Sequence, residues 1–275
     1  MPGGAGRLTS GTTMGEVASA DGTTIVFDRY GAGPAVVLVH GAFTGRAHPT
    51  LSAVAAALAP WFTVFNYDRR GRGDSGNTLP YAVSREIEDL MAVVGIAGGS
   101  ALVFGGSSGA GLALAAASGN PAVTRLALWE PPYHVDASAP PVPPDFAARL
   151  ESLVTDGRRG DAVERFLVDA AGMPAGAVEA MRRDPSWPET EAVAHTLAYE
   201  AAVMGPGNAL PAGRLAAVTA PTLVLTGGAS PAWLVNAGLA VTAAIPGAVH
   251  RVLDGQTHGV AAEALTPELL EFFAA

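Results

Sequence analysis

Glycines surround two adjacent serines in the segment LVFGGSSGAGLALAAA, residues 102–117, and their spacing suits two kinds of chemistry. Gly105, Gly109 and Gly111 have the G-x-x-x-G-x-G spacing of a turn that cradles phosphate. Gly105 and Gly109 also flank Ser107 in a G-x-S-x-G pattern, which is typical of a serine that attacks a carbonyl from a strained turn. Both chemistries need a strand, a glycine turn and a helix, so the local pattern leaves both open.

The absence of two residue types helps to decide between these alternatives. The chain has no cysteine and no lysine, and all 16 basic residues are arginine. Thiolate nucleophiles, cysteine-based metal or redox sites, Schiff bases and the P-loop lysine are therefore excluded. Glu130 favours a dinucleotide site, because it lies about twenty residues after the glycines, where a ribose-binding acid is expected. However, the Tyr-x-x-x-Lys pair of a short-chain dehydrogenase cannot exist here, and strand-like segments precede the glycine turn. The sequence favours the nucleophilic serine.

The elements that must position Ser107 alternate along the chain. From Glu16, short β-branched runs bounded by Gly and Pro predict strands, and apolar residues at helical spacing predict helices between them. Such alternation predicts an α/β fold with a mostly parallel sheet flanked by helices. No convincing strand lies in 131–215, where a Pro-rich entry and amphipathic segments predict a helical lid over one end of the sheet. We expect residues 16–130 and 216–275 to form the core and residues 1–15 to form a flexible tail.

Composition and net charge limit the classes of molecule that this protein is expected to bind. A chain of 275 residues with 49% hydrophobic and 15% charged residues predicts a globular core, and a net charge of −9 argues against nucleic acid or an anionic membrane as a partner. The N-terminal segment MPGGAGRLTSGTTMG has no apolar signal core, so we expect a cytoplasmic protein. The expected partner is a small-molecule substrate, with no cofactor and no metal, and a homodimer stays open.

Three further segments extend the pattern around Ser107. A strand runs into His40-Gly41 in VVLVHGAF, the segment NYDRRGRGDSG contains an Asp-x-x-Gly-x-Gly-x-Ser turn, and His258 follows the last predicted strand in VLDGQTHGV. With the G-x-S-x-G turn, these motifs resemble the α/β-hydrolase fold over residues 16–275. The resemblance implies that Ser107 is the nucleophile and that His258 is its general base.

The same resemblance implies an oxyanion hole and an acid that completes a catalytic triad with Ser107 and His258. The N-terminus of the helix after Ser107 offers the N–H of Ser108, and the resemblance implies a second N–H near Ala42 or Phe43. The family usually places an aspartate after the seventh strand, where this chain has Ser230. Some α/β-hydrolases place the acid after the preceding strand, which implies Glu130.

Other sources of charge for the histidine stay open at this stage. Glu130 could instead hydrogen-bond the Pro131-Pro132 turn, which would leave a Ser–His dyad or an unidentified acid. Asp254 lies four residues before His258 and is expected to end the last strand.

A serine at the elbow, where haloalkane dehalogenases place aspartate, implies acyl chemistry. The expected function is the cleavage of a small, largely apolar ester or lactone through an acyl-enzyme. Two alternatives stay open: a non-hydrolytic relative, such as a lyase, cyclase or acyltransferase, and a ligand-binding protein without catalysis. The candidates for lining the substrate pocket are Tyr133, His134, Trp187, His195, Tyr199 and Met204.

Overall fold

One mixed sheet organises the molecule. The structure is a computed structural model that describes residues 11–275. Its strands are β1 Thr13–Ala18, β2 Thr24–Tyr30, β3 Ala35–Val39, β4 Thr63–Tyr67, β5 Ala101–Gly106, β6 Val123–Trp129, β7 Thr222–Gly227 and β8 Val249–Leu253. They lie in the order β1-β2-β4-β3-β5-β6-β7-β8. Only the β1–β2 and β2–β4 pairs are antiparallel, so the predicted mostly parallel sheet is confirmed.

Helices cover the sheet and fill the interval between β6 and β7. In chain order they are α1 Pro49–Leu58, α2 Val83–Ile96, α3 Ser108–Ala117, α4 Phe146–Thr155, α5 Arg159–Arg165, α6 Ala175–Met181, α7 Trp187–Ala192, α8 Leu197–Met204, α9 Ala212–Leu215, α10 Ala232–Ala244 and α11 Ala262–Ala274. A π-helical turn, Phe166–Ala170, continues α5, and short 3₁₀ turns precede and follow α8.

Two apolar layers bury the two faces of the sheet. Side chains of α2, α3 and α10 pack on one face against residues such as Val37 and Val103. Side chains of α1 and α11 pack on the opposite face against residues such as Val36 and Phe104. Successive residues of one strand thus enter different layers, as the two-residue period of a strand requires. The central strands are apolar on both faces because both faces are covered.

The helical segment, residues 131–215, has a core of its own. Phe146, Leu150, Val163, Trp187 and Leu197 are buried in it. All regular structure in this segment is helical, apart from one bridge between His134 and Ala209. Residues 187–204 are divided into α7, a 3₁₀ turn and α8.

The predicted N-terminal boundary needs a correction. Residues 1–10 of the predicted tail lie outside the described residues, but Thr13, Met14 and Gly15 belong to β1 and pair with β2. A Cβ on Gly15 would approach the ring of Phe27 to 2.6 Å, so this strand depends on glycine where the ring crosses it. The pairing is a tertiary contact that the local sequence does not signal. Across residues 11–275, no helix combines the length and apolarity needed to cross a bilayer.

Candidate active site

Ser107 lies on a sharp turn between β5 and α3. Its backbone has φ +56° and ψ −130°, a conformation that costs a non-glycine residue about 1–3 kcal/mol. The Ser107 N–H donates to the carbonyl of Trp129 at the end of β6, 2.8 Å away, which anchors the turn. A Cβ on Gly105 would lie 2.7 Å from the Gly109 carbonyl oxygen, and a Cβ on Gly109 would lie 2.4 Å from that of His40. The G-x-S-x-G spacing is therefore required by close backbone contacts on both sides of the serine.

His258 faces Ser107 from the loop between β8 and α11. The Ser107 Oγ lies 3.0 Å from His258 Nε2, within hydrogen-bonding distance. The Trp129 indole N–H donates to the His258 carbonyl over 3.0 Å and holds the loop against the end of β6. The His258 side chain is 43% exposed, so its imidazole is reachable from solvent as well as from the serine.

Glu130 completes a chain of three side chains. Its Oε2 accepts a hydrogen bond from His258 Nδ1 at 2.7 Å, and its Oε1 accepts one from the Gly227 N–H at 2.8 Å. The Glu130 side chain is fully buried, so the two N–H partners are what stabilise its carboxylate there. Its φ of +43° directs the chain away from the sheet directly after β6.

The other carboxyl and hydroxyl candidates make no contact with the imidazole. Ser230 Oγ is buried and has no hydrogen-bond partner among residues 11–275. Asp254 directly follows β8, is exposed, and has no side-chain hydrogen bond to any described residue. Among the described residues, no group of three or more His, Asp or Glu side chains is placed to hold a metal ion.

Three backbone N–H groups lie free around the serine. Within residues 11–275, the N–H groups of Ala42, Phe43 and Ser108 have no hydrogen-bond partner. Ser108 is the first residue of α3, where helix N–H groups lack intrahelical acceptors and the helix dipole favours negative charge. Phe43 has φ +60°, and a Cβ on Gly41 would lie 2.9 Å from the Ser107 Cβ, so the turn after β3 packs directly against the turn that carries Ser107.

His40 stabilises the turn after β3 that packs against Ser107. It is fully buried, and its Nε2 donates to Asn66 Oδ1 over 2.5 Å. Burial lowers the pKa of His40 to about 3, so its imidazole is neutral at physiological pH. Its carbonyl oxygen accepts a hydrogen bond from Arg69 Nη1 at 2.9 Å. This histidine holds the turn after β3 in place.

A cavity of about 210 Å³ opens beside Ser107 and His258 under the helical segment. Most of its wall is apolar, with Glu200 and Asn208 as polar members. The lining residues other than Ser107 and His258 are Ser108, Pro132, Phe146, Phe166, Ala170, Ala171, Met173, Glu200, Ala201, Met204, Asn208, Pro231, Trp233 and Leu234. A second cavity of about 210 Å³ meets the same pair from the side of Ala42 and His48. Ser107 and His258 thus stand between two compartments.

Five of the predicted pocket residues lie elsewhere, which corrects the prediction. Tyr133 is buried between α3 and α8 and lines a different pocket, with Arg214. His134 packs edge-on against the Trp233 ring, 5.4 Å between centroids, and stands behind the cavity wall. Both follow β6 as predicted, but the chain turns there and directs only Pro132 into the cavity.

The remaining three aromatic residues of that prediction are structural. Trp187 is buried in the core of the helical segment. His195 Nε2 donates to the Gly71 carbonyl over 3.0 Å, and the Tyr199 ring stacks on Tyr81 at 3.8 Å. These contacts tie the helical segment to the loop after β4.

The face of α8 explains why Met204 lines the cavity and Tyr199 does not. Glu200, Ala201 and Met204 lie within one helical face and line the cavity, whereas Tyr199 points to the opposite side. The sequence shows helical spacing, but it does not show which face meets the nucleophile. The apolar stripe of α4, with Phe146 on it, was the available signal for the opposite wall.

A buried ion-pair cluster lies behind the cavity wall. Arg69 pairs through Nε with Glu86 at 2.5 Å and through Nη1 with Glu200 at 3.0 Å, and Arg72 also pairs with Glu200. All four side chains are almost completely buried, and their charges cancel. Burial, with the nearby positive charge of Arg69, lowers the pKa of Arg72 to about 9. The cluster joins α8 to the turn that carries His40.

Comparison with known proteins shows the family to which this chain belongs. A family model described as "Alpha/beta hydrolase family" matches residues 36–268. An alpha/beta hydrolase from Sphaerobacter thermophilus DSM 20745 is 54% identical, with a TM-score of 0.87 over 94% of this chain and 100% of the other. An enol-lactonase from Burkholderia xenovorans LB400 has the same fold, with 20% identity and a TM-score of 0.70 over 95% of this chain and 100% of the other.

A curated relative from Bacillus subtilis (strain 168), the uncharacterized hydrolase YraK, is 38% identical over 97 residues. That match spans 34% of this chain and 35% of the relative, so it covers about a third of either protein. The family model and the Sphaerobacter structure extend over most of the chain. With the eight-stranded sheet and the serine turn at the end of β5, they show that this protein is an enzyme of the alpha/beta hydrolase family.

Proposed function

We propose that this enzyme cleaves a small, largely apolar ester or lactone through an acyl-enzyme on Ser107. The observation that carries the proposal is the continuous hydrogen-bonded chain from Ser107 Oγ through the imidazole of His258 to Glu130, with distances of 3.0 and 2.7 Å. A neutral serine is a weak nucleophile, and a positioned base and acid are what activate it.

The proposed acylation step uses each of these groups once. The Ser107 oxygen attacks the carbonyl carbon while His258 Nε2 takes its proton. The resulting imidazolium is stabilised by the Glu130 carboxylate at Nδ1, and the oxyanion receives the N–H of Ser108 and one from Ala42 or Phe43. His258 then protonates the leaving oxygen, and a water molecule repeats the sequence on the acyl-enzyme.

The volume and lining of the cavity support the proposal that the substrate is small and mainly apolar. Its volume of about 210 Å³ lies below the range of roughly 300–1,000 Å³ found for drug-sized ligands. Phe146, Phe166, Met173 and Leu234 are among the apolar residues of its wall. In this proposal the helical segment acts as a lid, because it contributes Phe146, Phe166 and Met173 to the roof over the serine.

The test combines labelling with turnover. Wild-type protein should react with a fluorophosphonate and hydrolyse short methyl esters or γ- and δ-lactones, followed by acid release in a pH-stat. Ser107→Ala should lose both activities and remain folded, because removing the nucleophile of such a triad costs up to about 10⁶-fold in rate. Ser152→Ala, an exposed serine in α4, is the matched control and should keep both. Labelling of Ser108 in the Ser107→Ala protein, or ester turnover by it at the wild-type rate, would contradict the proposal.

A further inference from the structure

The cavity beside Ser107 contains a polar group that the proposed chemistry does not use. Asn208, in the turn after α8, is only 4% exposed and lines the cavity. Its backbone is fixed, because its carbonyl accepts from the His134 N–H and its N–H donates to Gly205. Its side-chain amide, however, has no hydrogen bond to any residue in 11–275, and it is not among the polar atoms sealed inside the protein. A ligand group that pairs with this amide therefore gains a hydrogen bond that none of the described residues supplies.

The backbone of Asn208 also constrains which residue can stand there. Its φ is +51°, in the left-handed region that Gly and Asn tolerate better than other residues. The turn therefore presents a short amide side chain to the cavity from a fixed main-chain position.

Glu200 places a carboxylate in the wall of the cavity. It lines the same wall, and its carboxylate receives hydrogen bonds from Arg69 and Arg72, both of which stand behind it. The four charges of that cluster cancel, and no arginine is among the described residues that line the cavity. A substrate carboxylate entering the cavity would therefore approach Glu200 without a free cation to pair with, which is unfavourable in a dry site.

We propose that the cavity binds a substrate that carries an uncharged oxygen substituent, a ketone or a hydroxyl, which pairs with the Asn208 amide, and that Glu200 excludes a carboxylate at that place. This inference rests on the proposed ester or lactone cleavage and names the substrate class within it. The amide can donate to a carbonyl oxygen, and it can both donate to and accept from a hydroxyl.

Pairs of matched esters, with and without a ketone, test this inference. One pair carries the ketone in the acyl part of the ester and the other carries it in the alcohol part. The first pair is methyl pentanoate and methyl 4-oxopentanoate, and the second is pentyl acetate and 4-oxopentyl acetate. Because a net hydrogen bond is worth up to about 1.5 kcal/mol, we expect kcat/KM to favour the ketone by about tenfold in one of the pairs. Dimethyl succinate and monomethyl succinate form a third pair, in which the charged monoester should be the poorer substrate by tenfold or more, on the order of the cost of an unpaired charge.

Variants then assign the preference to Asn208. Asn208→Gly tolerates the positive φ and removes the amide, so the ketone preference should fall to within about twofold of unity. Asn208→Asp keeps the shape and the turn but should suppress turnover of monomethyl succinate further. Asn236→Ala removes an asparagine that donates to Asp136 outside the cavity, and it should leave every ratio unchanged.

The outcomes separate this inference from the proposed function. Ester turnover without a ketone preference, or with a preference that survives in Asn208→Gly, overturns the role of Asn208 alone. Equal turnover of the charged and uncharged succinates overturns the exclusion by Glu200. No turnover of any ester, together with no phosphonate labelling of Ser107, overturns both proposals.

Discussion

Strands β6 and β7 are parallel neighbours whose carboxyl ends carry different chemistry. β6 is followed by Glu130, a fully buried carboxylate bonded to His258 Nδ1 and to the Gly227 N–H. β7 is followed by a turn with Ser230, whose hydroxyl is buried and has no partner among the described residues. One strand end therefore supplies the charge, and the other supplies a backbone N–H that holds this charge in place. The imidazole of His258 needs a carboxylate within hydrogen-bonding distance of Nδ1. Because the ends of β6 and β7 are adjacent, either strand end can place a carboxylate there.

The largest expected effect comes from removing the charge at the end of β6. Glu130→Gln keeps an oxygen for the Gly227 N–H but offers the imidazole an NH₂ group in place of an acceptor. The histidine would then lose its orientation and the stabilisation of its charged form, so we expect kcat to fall by about 10³–10⁴-fold with KM little changed. Steady-state hydrolysis of a short methyl ester measures both constants.

Glu263→Gln is the matched control, because this glutamate is exposed on α11. It should keep wild-type kinetics. A Glu130→Gln enzyme that loses less than about tenfold in kcat would show that Ser107 and His258 act as a dyad.

The next effect is the transfer of the acid from one strand end to the other. The turn after β7 contacts the loop that carries His258, since the Ala229 N–H donates to the Gln256 carbonyl over 2.9 Å. In the Glu130→Gln background, Ser230→Asp should therefore restore kcat by about tenfold or more, because a hydrogen bond to a charged group is worth about 1.5–3 kcal/mol. Ser230→Asn in the same background supplies the shape without the charge and should restore nothing. Equal rates for the two double variants would mean that the β7 end cannot reach the imidazole.

A smaller effect tests the backbone role of β7. A Cβ on Gly227 would lie 2.2 Å from the Gln256 carbonyl oxygen, whereas the nearest atom to a Cβ on Gly228 lies at 3.4 Å. Gly227→Ala should lower the free energy of unfolding by about 2 kcal/mol through overpacking, and Gly228→Ala should leave it almost unchanged. Chemical denaturation of the two variants measures the difference, and similar midpoints would show that the loop moves aside freely.

The smallest effect is expected at Ser230 itself. Its buried hydroxyl has no partner in the part of the chain that the structure describes, so Ser230→Ala removes an unsatisfied group and should leave the free energy of unfolding within about 0.5 kcal/mol of wild type, or slightly above it. The rate of ester hydrolysis should stay within about twofold, because only charge at this position is expected to matter. A marked loss of activity in Ser230→Ala would assign this serine a contact with the histidine that the comparison of the two strands denies.

The sequence allowed the fold and part of the site to be predicted because both are encoded in local patterns. The strand and helix periods predict the mostly parallel sheet, and the tight glycines at 105 and 109 mark the one turn that can carry an exposed nucleophile. The prediction of the residues that line the cavity was mostly wrong because it also used a local pattern, and that pattern does not show what each side chain faces. Helical spacing is visible in Tyr199 and Trp187, but it is the same whether a side chain meets the cavity, the sheet or a neighbouring helix.

The acid shows most clearly where the sequence alone stops. A carboxylate after β6 and a serine after β7 could be read from the chain, and Glu130 was one of several candidates. Whether any carboxylate touches His258 depends on two residues 128 positions apart in the chain, Glu130 and His258, coming within 2.7 Å between Oε2 and Nδ1. That distance follows from the pairing of β6 with β7 and of β7 with β8, which precedes His258, and from the positive φ at Glu130; all are properties of the packed structure. By itself the sequence determined the glycine turn that carries Ser107 and the order of the elements, since these depend on neighbours in the chain. Only the tertiary structure decided which acid meets the histidine and which side chains line the cavity beside Ser107, since those contacts join segments that no local pattern connects.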